Sequence, residues 1–217
     1  MLTNTFPIAS QSLALNYLHE SIGLFDNYVI LGGHSKGGNL AMTAGMLAGI
    51  RVKNKIKTIY NFDGPGFREK EYESFAFKKM TSKLKMYVPE DSTVGLLLWH
   101  SSEFMIVKSS ASGIWQHNPL TWECFGNIFL PGILTNRSAN LENSNLNFIR
   151  SMNEEERGKF VEAFFSIFHR MGITDTSQLM EPKFNQAIQI IKELTSIDVE
   201  TRNRLITLLK LMYKGIS

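Results

Sequence analysis

Cysteine occurs once in the 217 residues, at Cys124, so an intramolecular disulfide and a cysteine-rich zinc site are both excluded. The residue is read as a small buried hydrophobe. No apolar run approaches the roughly 18 residues that a membrane-spanning helix needs. The longest candidate, Thr93 to Leu98, is far shorter. Residues Met1 to Ser10 lack a basic stretch followed by an apolar core, so no secretory signal is read and a reducing, cytoplasmic setting is expected. Neither sign of charge prevails: 23 basic against 20 acidic residues leave +3, which gives no argument for a nucleic-acid partner. Internal repeats, low-complexity tracts, metal-ligand spacings and phosphate-binding loops are also missing, and no cofactor or metal is expected. What is present is a globular composition, 43% hydrophobic and 20% charged, which excludes a fully disordered or a fibrous chain.

Two regions are expected. Residues 1–135 mix short β-rich runs with glycine turns, an α/β pattern. Residues 140–217 read as a helical extension, and the polar segment Gly132 to Asn140 reads as a linker. In the first region a helix is predicted over Ile8 to Ile22. Strands are predicted over Tyr28 to Leu31, Ile56 to Phe62, Leu84 to Val88 and Phe104 to Lys108, with helices over Asn39 to Leu47 and Phe67 to Met80. Alternation of strand and helix argues for a parallel sheet of about four strands with crossover helices. In the extension, Ser151 and Glu154 are read as a capping box. Phe160, Phe164, Ile167, Phe168 and Met171 then share one helical face. Pro182 can start a second helix bearing Ile188, Ile191 and Leu194. Leu205, Leu208, Leu209 and Met212 form the stripe of a third. The glutamates on the polar faces argue for packing on protein rather than on a membrane.

The strongest chemical signal is Gly33-His-Ser-Lys-Gly37, a G-x-S-x-G placed after a predicted strand and before a predicted helix. A turn this tight leaves no room for bulk beside the serine, hence glycine at both ends. It lifts the Ser35 hydroxyl clear of the sheet's carboxyl edge. The helix N-terminus brings backbone N–H groups to that point, and the Lys36 amide is the expected oxyanion donor. A serine hydroxyl needs a base. In folds with this elbow the chain order is Ser, then Asp or Glu, then His. Asp91 follows the strand Leu84 to Val88, and His117 follows Phe104 to Lys108. The expected triad is therefore Ser35 as nucleophile, His117 as base and Asp91 to orient the imidazole. Glu90 rivals Asp91, which could equally cap a helix over Ser92 to Leu98. Asp63 is a weaker rival, because Asp63-Gly-Pro-Gly66 reads well as a turn. His100 is the competitor to His117, while His19 and His169 read as helix residues. His34, inside the elbow, is expected to pack or to shape the pocket. Trp99, Trp115, Trp122 and Leu96 to Leu98 fit an acyl pocket or an ordinary core. Asn136-Arg-Ser138 fits a glycosylation site that no secretion signal supports.

Gly33-His-Ser-Lys-Gly-Gly-Asn-Leu-Ala41 stands with Tyr60-Asn-Phe-Asp-Gly-Pro-Gly-Phe67, Val88-Pro-Glu-Asp-Ser92, Val107-Lys-Ser109 and Gln116-His-Asn-Pro119. Together these resemble an uncharacterised bacterial family of α/β-hydrolases related to the class 3 lipases. The resemblance covers roughly residues 8–170. It implies an α/β-hydrolase fold, serine hydrolase chemistry as an esterase or lipase, and an acyl ester or lipid as substrate. An α/β-hydrolase has several strands before its nucleophile elbow, yet only 34 residues precede Ser35, so the early strands and the loop giving the second oxyanion N–H are expected to be missing. Two consequences follow. Tyr28 to Leu31 becomes an exposed sheet edge, which suggests a homodimer through that edge unless residues 1–12 cover it. Ester hydrolysis is expected to be weak or absent. The competing reading is a non-catalytic α/β-hydrolase-like binding module.

Overall fold

A computed structural model describes residues 5–153, 155–159 and 197–213. Its chain divides into two compact units, one comprising mainly residues 5–148 and the other mainly residues 149–214.

The first unit is α/β. Four parallel strands lie in the order β1-β2-β3-β4: β1 Val29–His34, β2 Ile56–Phe62, β3 Leu84–Pro89 and β4 Met105–Val107. Helix α1 spans Ala9–Ser21, α2 Lys36–Leu47, α3 Ile50–Lys55, α4 Glu69–Tyr72 and α5 Phe75–Thr81. Sequence order equals spatial order, so every crossover steps to the adjacent strand and the carboxyl ends of all four strands open on one side. This is the side on which an open α/β sheet gathers its functional loops.

Alternation along β2 fixes which face is which. Ile59 and Asn61 are buried, while Tyr60 and Phe62 on the other face are half-buried. The buried face joins Leu18 and Ile22 near α1 to Met42 and Met46 of α2 and to Phe77 and Met80 of α5 in one apolar cluster. The opposite face carries an aromatic ladder. Phe62 and Tyr87 stack at 5.6 Å, Phe129 packs edge-on against Phe62 and Trp122, and Trp122 lies tilted against Phe62. Cross-strand aromatic pairs of this kind hold strand register.

β1 is outermost, with β2 as its strand partner among the described residues, as the exposed-edge reading expects. Ile30 and Tyr28 are exposed beside it.

Several sequence-based boundaries shift. The charged stretch after Phe67 is two short helices, because the Ser74 hydroxyl accepts the Phe77 amide and restarts the helix. Residues 132–140 are not a linker. Helix α6 spans Asn136–Arg150, Thr135 Oγ1 accepts the Ser138 amide at its start, and the division between the units falls inside it. Ser138 of the glycosylation motif is buried, its hydroxyl donating to the Ser92 carbonyl. Cys124 is exposed rather than buried, in a small hairpin with strands Cys124–Phe125 and Ile128–Phe129.

In the second unit the reciprocal cap is made by Asn153 and Glu156, two residues beyond the pair expected at Ser151 and Glu154. Helix α7 spans Val199–Tyr213 and buries Leu205. Phe160, Phe164, Ile167, Phe168, Met171, Pro182, Ile188, Ile191 and Leu194 lie outside the described residues, as do the side chains of Leu208, Leu209 and Met212. No helix among the described residues is long and apolar enough to cross a membrane.

A polar network runs through the core of the first unit. Asn39 of α2 is wholly buried. Its amide donates to the Pro65 and Gly66 carbonyls, and its oxygen accepts from Gln11 Nε2. Gln11 in turn accepts the Ile8 amide. Removing Asn39 strands three buried groups, each worth about 1–3 kcal/mol when left unsatisfied. Asn39→Ala should therefore lower unfolding stability in urea by about 2–4 kcal/mol, against well under 1 kcal/mol for an exposed change such as Asn54→Ala.

Candidate functional site

The β1–α2 junction is a strained turn. Ser35 stands between strand and helix at φ 55° and ψ −129°, a left-handed conformation that a residue with a Cβ adopts at a cost of about 1–3 kcal/mol. Its hydroxyl does not cap α2. Lys36 is the first residue of α2, where a helix leaves its leading amides without intrahelical acceptors. The Gly38 amide is already bonded to the Ser35 carbonyl.

The steric need for glycine is met differently than the motif suggests. A Cβ on Gly33 would lie 2.2 Å from the carbonyl carbon and oxygen of Gly37, so the backbone must close on itself there. Gly37 faces open space. The helix-side constraint falls on Gly38, where a Cβ would meet Asn61 Oδ1 at 2.1 Å.

Register places the next functional group. His34 of β1 is paired with Phe62 of β2, the Ser35 amide donates to the Phe62 carbonyl, and the Asp63 amide donates to the Tyr87 carbonyl. Ser35 and Asp63 therefore leave adjacent strands one residue past the last pair. Asp63 is itself left-handed at φ 49°, and its side chain is completely buried. Asp63 Oδ1 accepts the Ser92 hydroxyl at 2.5 Å and the Gly95 amide at 3.0 Å. A Cβ on Gly95 would sit 2.3 Å from that oxygen, so the close approach needs glycine. Asp63 Oδ2 accepts from His117 Nδ1 at 2.6 Å.

His117 ends a single 3₁₀ turn, Gly113–His117. Because its Nδ1 faces a carboxylate, Nδ1 carries the proton, and Nε2 of the neutral ring is left as the acceptor. The His34 ring lies 4.5 Å from the His117 ring, and His34 Nε2 is 2.7 Å from the His117 carbonyl. The ring belonging to the residue before Ser35 thus touches the imidazole that Asp63 orients.

Asp91 is a correction. The structure pairs His117 with Asp63 and gives Asp91 other work. Asp91 Oδ1 accepts Thr135 Oγ1 at 2.6 Å, Oδ2 accepts the Gly113 amide at 3.1 Å, and its own amide donates to Gln116 Oε1 at 2.8 Å. Arg137 Nη1 lies 3.9 Å away. Asp91 joins the turn carrying His117 to the start of α6. The cause is strand order: β3 is two strands from β1, about 10 Å at ordinary strand spacing, whereas Asp63 is on the neighbour. Glu90 supports the same region, its Oε1 accepting the Ile133 amide. Asp63, the weaker rival by sequence, sits in a bend, and its carboxylate points inward from it.

The remaining candidates fall elsewhere. His100 bonds the Ser101 carbonyl and packs on Phe104. His19 Nε2 accepts the Gly49 amide at 3.3 Å, and His169 is outside the described residues. Trp122 is buried in the aromatic ladder and donates to the Gln116 carbonyl, which again steadies the His117 turn. Trp115 is partly exposed. Among the described residues no cluster of His, Cys, Asp or Glu could hold a metal ion.

A family model described as Mbeg1-like matches residues 1–166. The chain belongs to the Mbeg1-like family. No curated protein and no solved structure matches it. The match to this Mbeg1-like chain takes in the elbow, Asp63 and His117 together.

The elbow makes a sharp comparison available. Gly33→Ala should cost about 1–3 kcal/mol in denaturant unfolding, through enforced backbone displacement. Gly37→Ala should be neutral or stabilise by up to about 1 kcal/mol, since it adds a methyl to open space and gains helix propensity.

Proposed function

We propose that this chain carries a serine hydrolase site of the α/β-hydrolase type, related to the class 3 lipases and acting on an acyl ester. Ser35 is the nucleophile, His117 the base and Asp63 the orienting acid. The observation that carries the reading is the bond from His117 Nδ1 to the buried Asp63, one strand from a serine held at a left-handed elbow. That arrangement is costly to build, with a carboxylate fully buried and both Ser35 and Asp63 at positive φ. It selects the imidazole tautomer that can take a hydroxyl proton.

The steps follow from the chemistry of these groups. Nε2 of His117 takes the Ser35 proton as Oγ attacks the ester carbonyl carbon. Charge develops on the carbonyl oxygen beside the Lys36 amide at the N-terminus of α2. His117, now cationic, is stabilised by Asp63 and returns the proton to the departing alkoxide. Water then repeats the sequence on the acyl-serine and frees the acid. With Lys36 as the only assigned oxyanion donor, turnover is slow, so covalent labelling is the better test.

A fluorophosphonate probe should label the wild type and not Ser35→Ala. Asp63→Asn should slow labelling by about 10³–10⁴-fold, because an amide facing Nδ1 favours the wrong tautomer. Asp91→Asn should keep labelling within about tenfold while lowering the melting temperature, since it loosens the join to α6. Equal labelling of wild type and Ser35→Ala would leave the non-catalytic module as the better account.

The outer edge of β1, without a strand partner among the described residues, supports a second proposal, a homodimer formed by strand pairing through β1. Sedimentation equilibrium should give twice the monomer mass, and Ile30→Lys should return the monomer. The cytoplasm, where Cys124 stays reduced, is the compartment that fits both proposals.

A further inference from the structure

The residue before Ser35 carries a titratable ring that the hydrolase reading does not use. His34 Nε2 lies 2.7 Å from the His117 carbonyl oxygen. A carbonyl can only accept, so Nε2 carries the proton and donates. This bond crosses from β1 to the 3₁₀ turn, between residues 83 apart in the chain. The two rings are tilted by 38° with centroids 4.5 Å apart. His117 is therefore held twice, through its ring by Asp63 and through its backbone by His34. Asp63 fixes one atom of the ring, and Asp91 and Trp122 hold the turn at Gly113 and Gln116. The bond from His34 fixes the backbone at His117 itself.

We propose that His34 is a positioning residue for the His117 base, clamping the His117 backbone to the elbow through Nε2 and setting the imidazole against it by ring contact. The proposal rests on the hydrolase reading of Ser35 and His117. It also makes the site sensitive to acid in a second way. Burial pushes the His34 imidazole below its ordinary value, and the neighbouring His117 adds to this. The bond to the His117 carbonyl and the Asp63 carboxylate act in the opposite sense. Asp63 and His117 are the titratable groups that bear on it. The ring is accordingly neutral near pH 7. When it takes a proton at lower pH, a cation stands 4.5 Å from the ring that must itself become cationic during attack.

Three proteins and one readout test this: the rate of Ser35 labelling by a fluorophosphonate from pH 5 to 9, for wild type, His34→Leu and His34→Gln. Circular dichroism melting serves as the folding control. Glutamine can place an amide N–H near the position of Nε2 but cannot titrate. His34→Leu should label about 10–100-fold more slowly at pH 8, the range expected when a reacting group is displaced by up to about 1 Å. His34→Gln should recover to within about fivefold of wild type. The low-pH fall in rate should be steeper in wild type than in His34→Gln, because glutamine removes the titratable His34 imidazole. A folded His34→Leu that labels at the wild-type rate would overturn the proposal. So would a His34→Gln profile as steep as that of wild type. If wild type itself takes no label while remaining folded, the hydrolase reading fails and the proposal falls with it, which is distinct from a labelled wild type indifferent to His34.

Discussion

The bond between the buried Asp63 carboxylate and His117 is the interaction on which the rest of the site depends. A carboxylate with no solvent exposure must find its donors inside the protein, and this one has three: the Ser92 hydroxyl, the Gly95 amide and His117 Nδ1. Each donor comes from sequence after β3 or later, so the carboxylate gathers the later loops around the end of β2. Breaking such an arrangement on one side leaves an uncompensated buried group, at a cost of about 3–5 kcal/mol for a charged pair. The same bond sets the tautomer of His117, so stability and chemistry share one contact.

The scaffold around it is stiff in polar as well as apolar terms. Asn61, two residues before Asp63, accepts the Gly64 amide and donates to the Gly64 carbonyl. Asn39 holds the Pro65 and Gly66 carbonyls from α2, and Gln11 ties α1 to Asn39. The loop that aims Asp63 is thereby fixed from three elements. A wholly apolar core could not do this, because the carbonyls of a buried loop need donors. Strain at Ser35 is held by the same means: the strand ladder anchors its amide and α2 anchors its carbonyl.

Much of this was legible in the residues. The run Ile56 to Phe62 is a strand with those bounds, and the elbow stands where strand, glycines and helix meet. His117 could be singled out by its place after the last strand. Asp63 could not, because the residues of Asp63-Gly-Pro-Gly66 describe backbone geometry and say nothing of where a carboxylate points. The choice between Asp63 and Asp91 turns on strand order, which is a long-range property. With β2 beside β1, the nearer acid lies within reach and the farther one does not. The start of α6 was hidden for a similar reason. Its polar sequence resembles a linker, and it is the bonds from Thr135 to Asp91 and from Ser138 to Ser92 that show the helix beginning against the sheet domain. The hairpin at Cys124 and the helix Ile50–Lys55 are too short for periodicity to register.

The most direct test of the Asp63–His117 bond is proton NMR in water at neutral pH, which reports an imidazole N–H held in a short bond to a carboxylate as a strongly deshielded, slowly exchanging resonance. The account predicts such a resonance in the wild type, its loss in His117→Gln and in Asp63→Asn, and its persistence in Asp91→Asn. A wild-type protein lacking the signal, or an Asp63→Asn protein that keeps it, would contradict the pairing from which the site has been built.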